Sequence, residues 1–456
     1  MSERGARPGR PPRGRRPRPR PAADPGRAGE VVELDVGAPA HGGHCVARFE
    51  GRVVFVRHTL PGERVRARLT DAGEGASFWR ADAVEVLTAS PDRVPSAWPE
   101  AGAGGVGGAE LAHVALPAQR AWKAAVLSEQ LRRIAHLDRD VPVHALPEDD
   151  ERGGLHYRTR VELVADDEGR AGMRGPRSHA VHPVTSLPLA VEAIEALDLP
   201  GRRWPAGARI EAVAPASGDA PVVLVDGVPW DLGRGRPDPR PNARRTVHEE
   251  VRVRGTTYRY RVQAAGFWQV HRRAPEVLTA AVLDGLGDVT GATVLDLYAG
   301  AGLFTAVLAD AVGAAGRVVG VEGDERAVRD ARRTLHDRPQ VLLRTGEVGD
   351  VLTRAGADAD AGAPADGAAD GGAGALPDAV DAVVLDPSRA GAGRRVLDAV
   401  AALAPRRVVH VACDPAALAR DVGLLVGHGY RLDDVQGYDL FPMTHHVEAV
   451  AVLTRA

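Results

Sequence analysis

Three features of the sequence predict an α/β fold, in which a doubly wound, Rossmann-like C-terminal domain follows a small β-barrel and a mostly antiparallel central domain. From about residue 272 onward, short apolar strands alternate with helical periodicity, as in a doubly wound sheet. Residues 31–88 hold five short runs of alternating apolar and polar residues separated by turn residues, the pattern of a small barrel. Residues 155–165 and 219–228 read as strands of an intervening domain, with a helix expected over 187–197.

Composition sets the frame. A chain of 456 residues, 44% of them hydrophobic, can bury more than one core. No run approaches the roughly 20 apolar residues that span a bilayer, so no membrane partner is expected. The N-terminus has no apolar segment after its charges and is unlike a secretory signal. Two cysteines, Cys45 and Cys413, make neither a disulfide framework nor a metal cluster. A monomeric, cytoplasmic protein is the expectation. The net charge of −3 hides an asymmetry: residues 1–30 carry nine arginines against Glu3, Asp24 and Glu30, a tail of +6 on a remainder of −9. That Pro/Arg/Gly tail is expected to be disordered, serving either to hold RNA phosphates or merely to solubilise. Lys123 is the only lysine, so every other basic role falls to arginine.

In chain order, barrel strands are expected at 31–36, 43–49, 52–57, 64–70 and 79–87, a shape used for oligonucleotides and for purely structural modules alike. Residues 89–114 read as a linker. A helix over 117–135 opens a central domain spanning 115–271, with Pro117 in its first turn. His156-Tyr157-Arg158-Thr159-Arg160 reads as an exposed basic and aromatic patch: Tyr157, Arg158 and Arg160 suit RNA, or form an ordinary solvated strand edge. The C-terminal domain, 272–456, has helices expected at 274–286, 303–311 and 325–335. Its strands are expected at 293–297, 318–322, 382–385, 408–412, 432–438 and 447–453, the last as an antiparallel edge. The Ala/Asp/Gly/Pro-rich segment 353–377 reads as a flexible acidic insertion.

The chemistry collects after the strands. Leu295-Asp296-Leu297-Tyr298-Ala299-Gly300-Ala301-Gly302 is a strand entering a glycine turn, where Gly300 and Gly302 let backbone amides approach a ligand. Val319-Gly320-Val321-Glu322 ends the next strand on an acid suited to ribose hydroxyls. Neither G-x-G-x-x-G spacing nor a Walker lysine is present, so a cofactor without phosphates fits better than NAD or ATP. Asp296 can meet the cationic amino-acid portion of S-adenosylmethionine. Gln269, in Gly266-Phe267-Trp268-Gln269-Val270-His271, can address cofactor or base, while Phe267 and Trp268 read as packing. Asp386-Pro387-Ser388-Arg389-Ala390-Gly391 follows another strand, with Asp386 at the cofactor–substrate junction and Arg389 on RNA phosphate.

Cys413 lies in Val411-Ala412-Cys413-Asp414-Pro415 at a strand end, and Glu448 ends Phe441-Pro442-Met443-Thr444-His445-His446-Val447-Glu448. A lone cysteine among valines is ordinarily a small buried hydrophobe, and Cys45 is read so. His445 and His446 would point to opposite faces of a strand and have no ligand set around them, so no metal site is expected.

As an ordered set, these motifs resemble the bacterial RNA 5-methyluridine methyltransferase family, over residues 31–88 and 115–456. The closest likeness is to its TRAM-containing 23S ribosomal RNA members, the TRAM module corresponding to the barrel. The resemblance implies a cofactor site for S-adenosylmethionine at Gln269, Asp296, Tyr298, Gly300, Gly302, Glu322 and Asp386. It implies Cys413 as nucleophile toward uracil C6 and Glu448 as the base that removes the C5 proton. RNA, 23S ribosomal RNA or its precursor, is the implied partner, with transfer RNA as the nearest alternative. A non-catalytic RNA-binding protein of the same fold is the reading from a different class. Three residues depart from the family pattern: His271 for Asn, Ser388 for Pro and Asp414 for Asn. Val106-Gly107-Gly108-Ala109 is similar to a Cys-Gly-Gly-Cys segment that has lost both cysteines, so no iron–sulfur cluster is expected.

Overall fold

The computed structural model describes residues 26–175, 178, 180–353, 376–377 and 379–456. Most of the basic tail and nearly all of the 353–377 insertion lie outside the described residues.

Strands β1 (Val31–Ala40), β2 (His44–Phe49), β3 (Arg52–Arg57), β4 (Arg64–Asp71) and β5 (Phe78–Thr88) close into a barrel in the order β1-β2-β3-β5-β4. Period-two burial builds it: Val32, Leu34 and Val36 point inward with Val65, Ala67 and Leu69. Cys45 packs there too, its Sγ 3.8 Å from the Thr59 carbonyl.

Helix α1 (Leu116–Gln130) starts with Pro117 in its first turn and runs on through a wider turn to Ala135. Trp122 and Val126 join the barrel core, whereas Leu127 joins the C-terminal core. This helix therefore bolts the barrel to the C-terminal domain instead of opening the central one. A short strand, β6 (Val143–His144), follows. The central sheet is antiparallel, in the order β13-β12-β11-β10-β7-β8-β9. Its strands are β7 (Arg160–Ala165), β8 (Ala171–Arg174), β9 (Val181–Pro183), β10 (Arg209–Val213), β11 (Val222–Val225), β12 (Val228–Asp231) and β13 (Arg236–Pro237). The helix expected over 187–197 shrinks to α2 (Glu192–Glu195). The carbonyls of Pro188 and Leu189 accept the amides of His156 and Arg158, so tertiary pairing takes the groups a helix would need.

A ribbon of β14 (Thr246–Val253) and β15 (Thr256–Gln263) packs on the C-terminal core, although it falls within 115–271. Beyond it, α3 (Ala274–Leu286), α4 (Leu303–Val312), α5 (Glu325–Thr334), α6 (Gly393–Ala402) and α7 (Pro415–Gly427) surround one sheet. Its strands are β16 (Thr293–Leu297), β17 (Arg317–Glu322), β18 (Val341–Thr345), β19 (Ala382–Leu385), β20 (Arg407–Ala412), β21 (Tyr430–Tyr438) and β22 (Glu448–Arg455). The order is β18-β17-β16-β19-β20-β22-β21-β6. Both faces are apolar, as a covered parallel sheet requires: Val294, Val384 and Val409 pack with α3 and α4, while Leu295, Val383 and Val408 pack with α6 and α7. Strand β22 is antiparallel, as expected, but lies inside the sheet between β20 and β21 and is no edge. The order reverses at β16/β19, where open α/β sheets bind ligands beyond their strand ends.

Candidate active site

A cavity of about 1040 Å³ opens at that switch point. On one side stands the glycine turn. Gly300 (φ +56°) and Gly302 (φ +89°) take left-handed backbone, and Tyr298 takes it with a side chain at φ +65°. The turn is tied to the next strand: the Gly300 amide donates to Glu322 Oε2 at 2.9 Å and the Asp324 amide to Oε1 at 2.7 Å. The Glu322 carboxylate is thereby held at the cavity wall with lone pairs left for ribose hydroxyls. Gln269, nearly buried, lines the same space, with Leu303 and Phe304 as apolar wall. An acid and a primary amide beside an apolar wall suit the hydroxyls and ring of a nucleoside cofactor.

Two expected cofactor contacts are revised. Asp296 is fully buried, accepts the Thr305 hydroxyl at 2.5 Å and does not line the cavity. Its Oδ1 has no partner, and burial pushes its carboxyl up to about 7. It supports the turn from beneath. Gly302 likewise stays behind the turn, where an added Cβ would lie 3.2 Å from the Leu335 side chain.

The opposite wall holds the reactive groups. Ala412 of β20 pairs with Ala449 of β22, so Cys413 and Glu448 sit at the same end of neighbouring strands, and both line the cavity. Asp386 joins them from the end of β19. Burial first, then the carboxylates of Glu448 and Asp386, push the Cys413 thiol up to about 12, while Arg389 pulls it down. Burial, reinforced by Asp386, raises the Glu448 carboxyl well above its usual range. Asp386 is pushed up to about 7 by burial and by Asp296.

The loop carrying Glu448 is pinned from outside its own domain, by residues the sequence reading left unassigned. Buried Lys123 pairs with Asp439 and donates to the Phe441 carbonyl at 3.0 Å. Gln119 accepts the Met443 amide at 2.7 Å, and the Leu111 amide donates to the Met443 carbonyl at 2.8 Å. Met443 is held in left-handed backbone at φ +68°. The only lysine of an arginine-rich chain, on an apolar helix, was the one available signal. His445 and His446 precede β22 and so do not alternate across a strand; their rings lie 4.1 Å apart. Burial and His445 push the His446 imidazole down to about 3, leaving a neutral ring on the cavity wall. Among the described residues, no cluster of His, Cys, Asp or Glu could hold a metal ion.

The basic aromatic patch is also revised. Tyr157 is fully buried, donates its hydroxyl to the Pro442 carbonyl at 3.1 Å and stacks on His271 at 5.0 Å. Arg160 donates to the Ala264 and Gly266 carbonyls at 3.0 and 2.9 Å and reaches Glu249 at 3.3 Å, bracing the loop before Phe267. Both are structural: Tyr157 is spent on the Pro442 loop and Arg160 on the loop at 264–266. Arg158 and Arg389 do line the cavity. Phe267, read as packing, is 76% exposed at the cavity, whereas Trp268 is buried against Tyr260.

Of the departures from the family pattern, His271 is buried away from the cavity. Its Nδ1 accepts the Arg273 amide at 3.0 Å, so Nε2 carries the proton donated to Asp149 at 3.1 Å. Ser388 is exposed on the rim. Asp414 caps α7 through the Ala417 amide at 2.8 Å. Val106 and Ala109, at the segment lacking its cysteines, pack in an apolar cluster with Trp98 and Tyr157.

Comparison with known proteins agrees with this architecture. A TRAM domain model matches residues 26–79, and a tRNA (uracil-5-)-methyltransferase model matches residues 378–456. A protein-L-isoaspartate(D-aspartate) O-methyltransferase model matches residues 244–360. The chain is 42% identical to an uncharacterised RNA methyltransferase of Streptomyces coelicolor, over 94% of this chain and 93% of that one. It is 32% identical to the 23S rRNA (uracil(1939)-C(5))-methyltransferase of Alkalilimnicola ehrlichii, over 93% and 97%. Among solved structures it resembles the Pyrococcus abyssi tRNA (uracil-54, C5)-methyltransferase in complex with S-adenosyl-L-homocysteine. The TM-score is 0.63 at 20% identity, over 92% of this chain and 100% of that one, a likeness of fold. With such identity along nearly its whole length, and with both domain models in the expected order, the chain belongs to the TRAM-containing, S-adenosylmethionine-dependent RNA uracil-C5 methyltransferase family.

Proposed function

We propose that this protein methylates C5 of a uridine in 23S ribosomal RNA through a covalent bond between Cys413 and uracil C6. The observation that carries the reading is the meeting of Cys413, Glu448 and Asp386 on one wall of a cavity whose other wall is the Gly300–Glu322 turn. Glu322 and Gln269 are the groups to hold S-adenosylmethionine, which when bound supplies an electrophilic methyl on a sulfonium.

Uracil C5 is too weak a nucleophile to take that methyl unaided. Cys413 as thiolate adds to C6, and the displaced electron pair makes C5 enolate-like. Once C5 is methylated, Glu448 as carboxylate removes its remaining proton; the C6–S bond then breaks and the thiolate leaves. A carboxyl with a raised pKa is the stronger base for that removal. Arg389 is the cation that favours the thiolate in a pocket otherwise hostile to it. The target base must leave its stack to enter, at a cost of a few kcal/mol. Arg158 and Arg389 offer charge to flanking phosphates, and Phe267 offers a ring face.

The 32% identity to a 23S rRNA enzyme favours ribosomal RNA, and the barrel favours an RNA substrate in general. The test is mass spectrometry of ribosomal and transfer RNA from cells with and without the gene, followed by reconstitution with labelled cofactor. Loss of one 5-methyluridine from 23S RNA is expected. Loss from transfer RNA alone would reassign the substrate, and no change in 5-methyluridine would reject the reaction.

A further inference from the structure

The barrel reaches the reaction centre. The turn joining β1 and β2, residues 41–43, meets Asp414 and His445, which lie one and three residues from Cys413 and Glu448. His41 Nε2 lies 3.1 Å from Asp414 Oδ2, one residue past Cys413. The other oxygen of Asp414 accepts the Ala417 amide, so one carboxylate ties the nucleophile's neighbour both to its own helix and to the barrel. On the base side, a Cβ on Gly43 would fall 3.2 Å from the His445 side chain, whose ring lies tilted 4.1 Å from that of His446 on the cavity wall. Gly43 adopts φ +75°, a backbone that lets the turn lie flat there. The barrel cannot drift from this position, because Trp122 and Val126 of α1 sit in its core.

We infer that His41 is a positioning residue for the nucleophile: by holding the Asp414 carboxylate, it fixes the Cys413 segment against the cavity and makes the barrel part of the active site. This rests on Cys413 being the nucleophile. It also gives a use to the Asp at 414, since a carboxylate engages an imidazole cation more strongly than an amide would. His41 and Asp414 are partly solvent-exposed, 40% and 24% at the side chain. A pair so exposed adds little to stability, so its loss should register in thiol chemistry and turnover, not in melting.

The experiment is a double-mutant cycle on the full chain with His41→Ala and Asp414→Asn. Its readouts are the iodoacetamide alkylation rate of Cys413, the thermal midpoint, and kcat and KM on total RNA from cells lacking the gene. His41→Ala should slow alkylation by roughly threefold or more, because an unneutralised Asp414 carboxylate opposes thiolate formation. It should lower kcat more than it changes KM, and leave the midpoint in place. His41→Gln, which can still donate to Asp414 but carries no charge, should recover most of kcat while alkylation stays slow. In the Asp414→Asn background, His41→Ala should have little further effect. Unchanged alkylation and kcat in a folded His41→Ala protein would overturn the inference, as would full additivity in the double variant. Alkylation reports on the pair whatever Cys413 does to RNA. A Cys413→Ala protein that still methylates would instead sink the proposed mechanism alone.

Discussion

Cys413 and Glu448 each stand one residue beyond Ala412 and Ala449, the last paired positions of two neighbouring antiparallel strands. Register alone therefore brings a thiol and a carboxyl from distant sequence positions to one cavity wall. Their proximity is costly in the free protein: Glu448 makes the thiol's ionisation harder, and Asp386 opposes ionisation of both.

Thiol reactivity should reveal that electrostatic cost. With Cys413 pushed up to about 12, the thiolate is scarce at neutral pH. Alkylation by iodoacetamide should rise about tenfold per pH unit from about pH 7 to 9, following the thiolate fraction. Cys45, fully buried in the barrel, should stay unmodified in the folded protein. Peptide mass spectrometry separates the two sites, and a flat profile at Cys413 would contradict the site electrostatics.

Glu448→Gln should split activity from stability. Without the base, the adduct with RNA persists and turnover should fall by about 10²–10⁴; denaturing gels would show the trapped complex. For stability, the sign follows from the folded carboxyl binding its proton more tightly than the ordinary 4.5 of the unfolded chain. Stability is present in full below the unfolded value and is lost as pH rises from there through the folded one. Glutamine carries no such loss. The variant should melt above the wild type near pH 8, with the gap closing as pH falls below about 4.

Glu322→Gln keeps an oxygen for the Gly300 amide but loses the charge that the proposed cofactor site would turn to the ribose. Charge-assisted hydrogen bonds contribute about 1.5–3 kcal/mol, so S-adenosylhomocysteine affinity should drop roughly 10- to 150-fold by calorimetry. Unaltered affinity would remove Glu322 from the cofactor site.

Lys123→Met leaves Asp439 buried without its cation and should cost about 3–5 kcal/mol in denaturant unfolding. Adding Asp439→Leu should restore most of that stability, since an apolar pair replaces an ionic one. Turnover should stay low in the double variant, because the Phe441 carbonyl has still lost its donor and the loop to Glu448 its anchor. Recovered turnover would show that the pair serves stability alone.

Chelation should leave the protein intact. Val106 and Ala109 fill their places with apolar packing, and the chain's two cysteines lie in the barrel and at the cavity. Dialysis against a strong chelator should change neither the melting midpoint nor cofactor binding.

The periodicity of the chain determined the barrel, the α/β alternation and helix α3 to the residue, because burial on one or both faces imposes its period directly on the sequence. Local motifs likewise named the glycine turn, Glu322, Asp386, Cys413 and Glu448, since turns and strand ends demand particular residues at short range. Tertiary structure alone decided the rest. It buried Tyr157 under the Pro442 loop, tied up Arg160, exposed Phe267 and drew Asp296 beneath the turn. It melted most of the expected 187–197 helix by giving its carbonyls to the chain at 156–158, and it slid β22 inside the sheet. Lys123, Gln119 and His41 act on loops up to several hundred residues away. Such contacts depend on how separate elements dock, and neither periodicity nor short-range motif carries that information.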